Sequence, residues 1–268
     1  MRAAGKQSPT RRFHALYDKI HRQDFLWAAW VAVARNNGAP GVDGVSIASI
    51  EEGGSEGVKA LLDGLATELK NGTYRPLPVR RVTIPKAGGG ERNLGVPAIR
   101  DRVVQAAAKA VLEPIFEADF LDCSFGFRPG RSAHMALEVI RAEVNRGRVW
   151  VVDADIASFF DSVRPEVLRQ ALEERISDGR VLRLIMGWLR AGVWTGETLI
   201  HPESGTPQGG VISPLIANAV LHRLDRIWAQ QYWRLGVLCR YADLSRNRHK
   251  SAYADNGIMP RIDVGMVV

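Results

Sequence analysis

Val151-Val152-Asp153-Ala154-Asp155-Ile156-Ala157-Ser158-Phe159-Phe160-Asp161 is the stretch that decides the fold class. Its first part, Trp150 to Ile156, is short, apolar and β-branched, the pattern of a buried strand. Side chains alternate along a strand, so Asp153 and Asp155 share a face. A carboxylate at the end of a buried strand is costly unless something pairs with it. A metal ion is one such partner; a surface position where the strand leaves the core is the plainer reading. Val237-Leu238-Cys239-Arg240-Tyr241-Ala242-Asp243 is a second apolar strand ending in a carboxylate. If the two strands are neighbours, Asp155 and Asp243 meet at one sheet edge. Such a pair suits Mg²⁺, a hard ion that keeps several waters and leans on substrate phosphates.

Outward from these strands the sequence alternates helical and strand patterns. Helices are expected over Phe13 to Arg35, Gly57 to Lys70, Asp101 to Phe116, Ser132 to Asn145, Pro165 to Glu174 and Arg180 to Leu189. Ser213 reads as an N-cap with Pro214 at the first helical position, opening a helix to about Trp228. Arg81 to Pro85 and Asn93 to Val96 read as two strands joined by a tip, Lys86 to Arg92, that holds Gly88-Gly89-Gly90. The mixture predicts an α/β fold.

The chain has 268 residues, 46% hydrophobic and 24% charged, with 36 Lys and Arg against 29 Asp and Glu. This is the composition of a globular chain with a core. The net charge of +7 points to a polyanionic partner, and residues 1–100 carry most of it, at net +6. The longest apolar stretch, Phe25 to Ala34, is too short to span a bilayer. Met1 to Arg12 is polar and basic, with no signal-peptide pattern. A cytosolic (cytoplasmic) protein with no membrane partner is expected. Cys123 and Cys239 cannot form a disulfide framework or a Cys-only zinc site, and read as buried small hydrophobes. The six histidines show no zinc spacing, and no GxSxG element is present.

Leu69 to Arg102 holds eight basic residues against two acidic ones. A solvated surface and a phosphate-facing groove both fit this run. Lys86 and Arg92, an ammonium and a forked guanidinium flanking the glycine tip, suit a triphosphate. Gly205-Thr206-Pro207-Gln208-Gly209-Gly210 precedes a helix. Its glycines allow close approach of backbone to a ligand, and a loop-to-helix junction explains them equally well.

Taken together, these segments resemble the reverse transcriptases of group II intron-encoded proteins (intron maturases), over roughly Phe25 to Asp243. Asn37-Gly38-Ala39-Pro40-Gly41-Val42-Asp43-Gly44 is similar to the block before the fingers. Ile84-Pro85-Lys86 through Arg92-Asn93-Leu94-Gly95-Val96-Pro97, with Asp101-Arg102-Val103-Val104-Gln105, is similar to the first fingers block. Ser124-Phe125-Gly126-Phe127-Arg128-Pro129-Gly130-Arg131-Ser132-Ala133-His134 is similar to the second. Asp153-Ala154-Asp155-Ile156 with Phe159-Phe160-Asp161 matches the first palm carboxylate motif. Gly205 to Leu215 matches the block that packs on the nascent base pair, and Arg240-Tyr241-Ala242-Asp243 the start of the YADD box.

The resemblance implies right-hand polymerase fingers, rich in helix, and an incomplete palm whose antiparallel sheet is backed by helices. It divides the chain into a basic N-terminal segment (1–24), N-terminal block and fingers (25–148), palm (149–243) and an unrelated tail (244–268). It implies Asp155 and Asp243 as catalytic, metal-binding carboxylates for two Mg²⁺ ions. Lys86 and Arg92 would contact the incoming triphosphate, Phe160 would be the steric gate against a ribose 2′-hydroxyl, and Gln208 would touch the incoming nucleotide. Arg128 and Arg131 would lie along the template backbone. The implied reaction is DNA synthesis on an RNA template (intron RNA) from a DNA primer and dNTPs.

Two departures shape the expectation. Leu244 stands where the second Asp of the YADD box belongs, and Ser245 to Val268 matches none of the family's blocks. The reading is therefore of a chain truncated within that box, as by a frameshift, without the strand that completes the palm hairpin and without thumb, maturase or endonuclease domains. Impaired polymerase activity follows. The rival from another class is a non-catalytic RNA-binding remnant.

Overall fold

The computed structural model describes residues 8, 10–85, 90–148, 150–154, 156, 159, 163–201, 209–241 and 266–267. They fall in two compact units, 1–119 with 160–216 and 120–159 with 217–268.

The first unit is built on helices. After α1 (Tyr17–Ile20) come α2 (Gln23–Arg35), α3 (Ile47–Glu51) and α4 (Gly54–Asn71). The single helix expected over Phe13 to Arg35 is broken, because Phe13 makes a parallel bridge to Ile176 instead. α3 escapes the periodicity reading; its start is held by a capping box between Ser46 and Ser49. α4 ends at Gly72, in the left-handed conformation that glycine tolerates at helix ends.

α5 (Ile99–Phe116) is buried on more than one face, with Val103, Val104, Ala107, Ala108, Val111, Leu112 and Ile115 all inaccessible. α2 packs against it. Inside this core Asp101 accepts from the Tyr74 hydroxyl at 2.6 Å and from the Leu77 amide at 3.0 Å. Trp188 Nε1 donates to the Tyr74 oxygen at 3.1 Å. Burial pushes both the Asp101 carboxyl and the Tyr74 phenol above their ordinary pKa ranges.

The two strands read from sequence form a hairpin, β1 (Val79–Pro85) with β2 (Glu91–Val96), Arg80 opposite Val96 and Ile84 opposite Arg92. After α7 (Pro165–Glu173) and α8 (Gly179–Arg190), two short strands extend this sheet: β4 (Val193–Trp194) and β5 (Leu199–Ile200), in the order β2-β1-β4-β5. β4 and β5 have two residues each, too short for a period to reveal.

The second unit contains α6 (Ala133–Asn145), started by the Ser132 side chain accepting from the Met135 amide. Its sheet runs β3-β7-β6, from β3 (Val151–Val152), β6 (Val237–Leu238) and β7 (Met266–Val267), with both pairings antiparallel. Two expectations are corrected here. β3 is not buried: Val151 is 54% exposed, since it sits on an edge strand, and only Ala154 beyond it is buried. The palm sheet also does not lack its third strand, because Met266–Val267 pairs with both neighbours. α9 (Ser213–Ile227) includes Ser213 as its first residue, one position from the expected cap, and continues into a π-helical turn, Trp228–Tyr232. Pro214 falls in the first turn, where its missing N–H leaves no bond unmade.

Candidate active site

In the second unit β3 and β6 flank β7, each antiparallel to it, so they run parallel to one another. Val151 and Val237 both oppose Val267, and Val152 and Leu238 both oppose Met266. The two strands, whose adjacency sequence left open, are separated by one strand. Both run in the same direction through the sheet, and Asp155 and Asp243 follow them in sequence. Those two residues lie outside the described residues, as do Lys86, Phe160 and Gln208. Arg92 is placed in β2 by its backbone alone.

What holds the approach to Asp243 is visible. Arg240, three residues before it, is 2% exposed. Its guanidinium donates to Asp225 through Nε at 2.8 Å and Nη2 at 2.7 Å. Nη1 donates to Asn218 Oδ1 and Nη2 to Ser124 Oγ, each at 2.7 Å. The Arg240 amide donates to the Cys123 carbonyl at 2.7 Å, and its carbonyl accepts from the Phe125 amide at 2.8 Å. One buried fork therefore joins β6, α9 and the 120–126 loop. Sequence reasoning gave Arg240 no role, although a charge inside an otherwise apolar strand was the available signal.

The two arginines carried over as template contacts differ. Arg128 is buried; it donates to the carbonyls of Leu121 at 2.6 Å and Ser124 at 2.8 Å, and stacks over Phe120. Its guanidinium is taken up by the loop's own carbonyls. Arg131 is partly exposed, pairs with Asp122 and stacks over Phe125.

The basic run is also partly absorbed by the protein. Arg80 donates twice to the Pro40 carbonyl, at 3.1 and 2.8 Å. Arg102 donates to the Ala39 and Pro97 carbonyls, Arg75 to those of Gly72 and Tyr74, and Arg100 pairs with Glu68. Gly41 permits the 37–44 loop to lie on the chain after β2, since a Cβ there would sit 2.4 Å from Ala98 Cα. Four of the eight cations are thus taken up by the protein, two of them by the 37–44 loop, which sequence cannot distinguish from a phosphate-facing set.

The glycine-rich stretch resolves the same way at Gly209. Its φ is +115°, and a Cβ would fall 2.1 Å from the Gly95 carbonyl oxygen of β2. Close approach is required here, but to a strand. Gly209→Ala is expected to cost about 1–3 kcal/mol of stability, read from the urea midpoint. Beside Gly210, Gln105 Oε1 is buried without a hydrogen bond among the described residues. It lines a cavity of about 20 Å³ with Val79, Pro97, Trp188 and Ile212, room for one water.

Burial pushes the Cys123 thiol up to about 12 and that of Cys239 to about 11. Cys239 is buried, as expected of a small hydrophobe, whereas Cys123 is only half-buried. Among the described residues no helix is long and apolar enough to cross a membrane, and no cluster of three metal-ligating side chains occurs.

The family model for reverse transcriptase (RNA-dependent DNA polymerase) matches residues 84–256, and the chain belongs to that family. The match continues past Asp243, where the motifs read from sequence had ended. Within the family, it is similar to proteins of group II introns. The protein LtrA of Lactococcus lactis subsp. cremoris, a group II intron-encoded protein, is 37% identical over 219 residues. The match takes in 81% of this chain and 36% of LtrA. The protein YkfC of Escherichia coli K12 is 39% identical over 231 residues, 84% of this chain and 59% of that protein. The chain thus spans well under two thirds of either relative. Among solved structures, a partial Cas6-RT-Cas1–Cas2 complex shares the fold, with TM-score 0.51 and 24% identity over 85% of this chain and 37% of that one.

Proposed function

We propose that this chain is the fingers and palm portion of a group II intron-type reverse transcriptase, serving RNA-templated DNA synthesis. One observation carries the reading: the family match spans both carboxylate motifs, whose preceding strands run parallel in one sheet with β7 between them. In this reading Asp155 and Asp243 would hold two Mg²⁺ ions, which would supply Lewis-acid assistance to phosphoryl transfer. Their hard carboxylate oxygens suit that ion. Lys86 and Arg92 neutralise the triphosphate, Phe160 excludes the ribose 2′-hydroxyl, Gln208 contacts the incoming nucleotide, and Arg131 lies along the template. The domain division follows the sequence reading, with segment 1–24, fingers to 148 and palm from 149 to 243, to which Met266–Val267 of the tail adds one strand. RNA template, DNA primer and dNTPs are the partners, and the cytoplasm is the compartment.

Leu244 has no oxygen to offer a metal where the family carries a second Asp. Primer extension on an RNA template with Mg²⁺ is therefore expected to be weak, and Asp155→Ala to lower it by a further factor of about 10³. Extension that survives Asp155→Ala overturns the assignment. The non-catalytic alternative, supported by the net +6 of residues 1–100, instead predicts salt-sensitive RNA binding with no extension at all.

A further inference from the structure

We infer that Gln105 is a positioning residue, tied through one buried water to Ser213 and so fixing Gly209-Gly210 at the entry to α9. Gln105 lies on α5 at 4% exposure, between Val104 and Ala108, which are both inaccessible. A glutamine in such a place is costly unless its amide is bonded, and buried polar groups without a partner are rare. Its Oε1 has no hydrogen bond among the described residues. Gly210 marks where that oxygen points: a Cβ there would stand 2.8 Å from Oε1 and 2.9 Å from Ser213 Oγ. The two oxygens thus lie less than about 6 Å apart, the reach of one water making two hydrogen bonds of about 2.8–3.0 Å.

The cavity that both residues line selects the ligand. Its 20 Å³ admits a single water and nothing larger. The indole N–H of Trp188, which also lines it, is already donated to Tyr74, which leaves the oxygens of Gln105 and Ser213 as the side-chain partners. All of these residues belong to the first unit. The Ser213 amide donates to the Gly210 carbonyl at 3.1 Å, so a bridge that holds Ser213 also holds the turn from Gly210. It acts beside the close approach of Gly209 to Gly95. Gln208, which the proposed function places against the incoming nucleotide, immediately precedes Gly209 in sequence. The positioning role rests on that reading; the water bridge does not.

A double-mutant cycle on the full chain, read by urea denaturation, tests the bridge. Gln105→Leu and Ser213→Ala are each expected to lower the urea midpoint. The double variant is expected to fall no further than the larger single loss, because either change breaks the same bridge. An acceptor buried with no partner at all predicts the opposite for Gln105→Leu, a raised midpoint, since an apolar side chain of similar volume removes an unsatisfied group. A raised midpoint or additive losses overturn the bridge. Water-selective NMR on the native chain is expected to show magnetisation transfer to the Gly210 or Ser213 amide; its absence overturns the bridge even where a variant fails to fold. Positioning is read from primer extension: Gln105→Leu is expected to raise KM for the dNTP about 3- to 10-fold, with kcat held within about twofold. An unchanged KM in a variant that has lost the bridge overturns the positioning role. If the native chain extends no primer, or extension survives Asp155→Ala, the proposed function fails and the positioning role with it, while the cycle still decides the bridge.

Discussion

Arg240→Ala is expected to destabilise the second unit by about 3–5 kcal/mol, the cost of leaving a buried charge without its partner. The variant strands Asp225, which is 0% exposed and takes two of the guanidinium's hydrogen bonds. It also leaves Asn218 Oδ1 and Ser124 Oγ without the donors that now reach them at 2.7 Å. Arg240→Lys is expected to lose less, but still measurably. A single ammonium keeps the charge and cannot reproduce a planar fork that meets three side chains. The decisive measurement is a double-mutant cycle by urea denaturation. Replacing Arg240 and Asp225 together by Met and Leu is expected to cost less than either single alanine variant, because no charge is left buried. Additive losses would show that the two residues act separately. The fork holds the chain at Arg240, three residues before Asp243 in the sequence.

The second large effect is expected at Asp178 in the first unit, on grounds of backbone bonding alone. One carboxylate oxygen accepts from the amides of Leu16 and Tyr17, both at 2.9 Å, across some 160 residues of chain. The other caps α8, accepting from the amides of Arg180 at 3.0 Å and Val181 at 3.4 Å. The Phe13 carbonyl accepts from the amides of Ser177 and Asp178, completing the attachment of the N-terminal segment. Asp178→Ala is expected to cost about 3 kcal/mol, a lost cap plus amides left without acceptors. Asp178→Asn, with one oxygen remaining, keeps about half.

The effect depends on pH with a definite sign. Burial works to raise the Asp178 carboxyl, but the four amides outweigh it and hold its pKa below the ordinary 3.8. A lowered pKa means the carboxylate's contribution is complete above the unfolded value near 4 and lost as pH falls through the folded value. The difference in urea midpoint between native chain and Asp178→Ala should therefore be full at pH 7 and shrink in acid below the ordinary value. A difference that grows in acid would contradict this account.

The long helices and the β1–β2 hairpin were legible because each carries its own periodicity or turn chemistry in consecutive residues. The family motifs were legible for a related reason: they are runs of consecutive residues, and at Gly209 the backbone lies against Gly95, where a side chain would clash. Other features had no local signal. Phe13 leaves the helical pattern because it pairs with Ile176, far along the chain. Met266–Val267 reads as a tail in sequence, and only pairing with β3 and β6 makes it a strand. The buried strand expected at Trp150 to Ile156 is short and exposed because it lies at the sheet edge.

By itself the sequence determined the class of protein, the order of its motifs and the carboxylates, Asp155 and Asp243, on which the proposed chemistry rests. Those are matters of residue identity and spacing. Only the tertiary structure decided what each cation does. Arg80, Arg102 and Arg128 look in sequence like phosphate ligands and are folded onto carbonyls; Arg240 looks incidental and is the buried fork of the second unit. A guanidinium carries the same charge wherever it lies in the chain. Whether it faces an oxygen of the protein or a phosphate is settled by which distant segments pack around it.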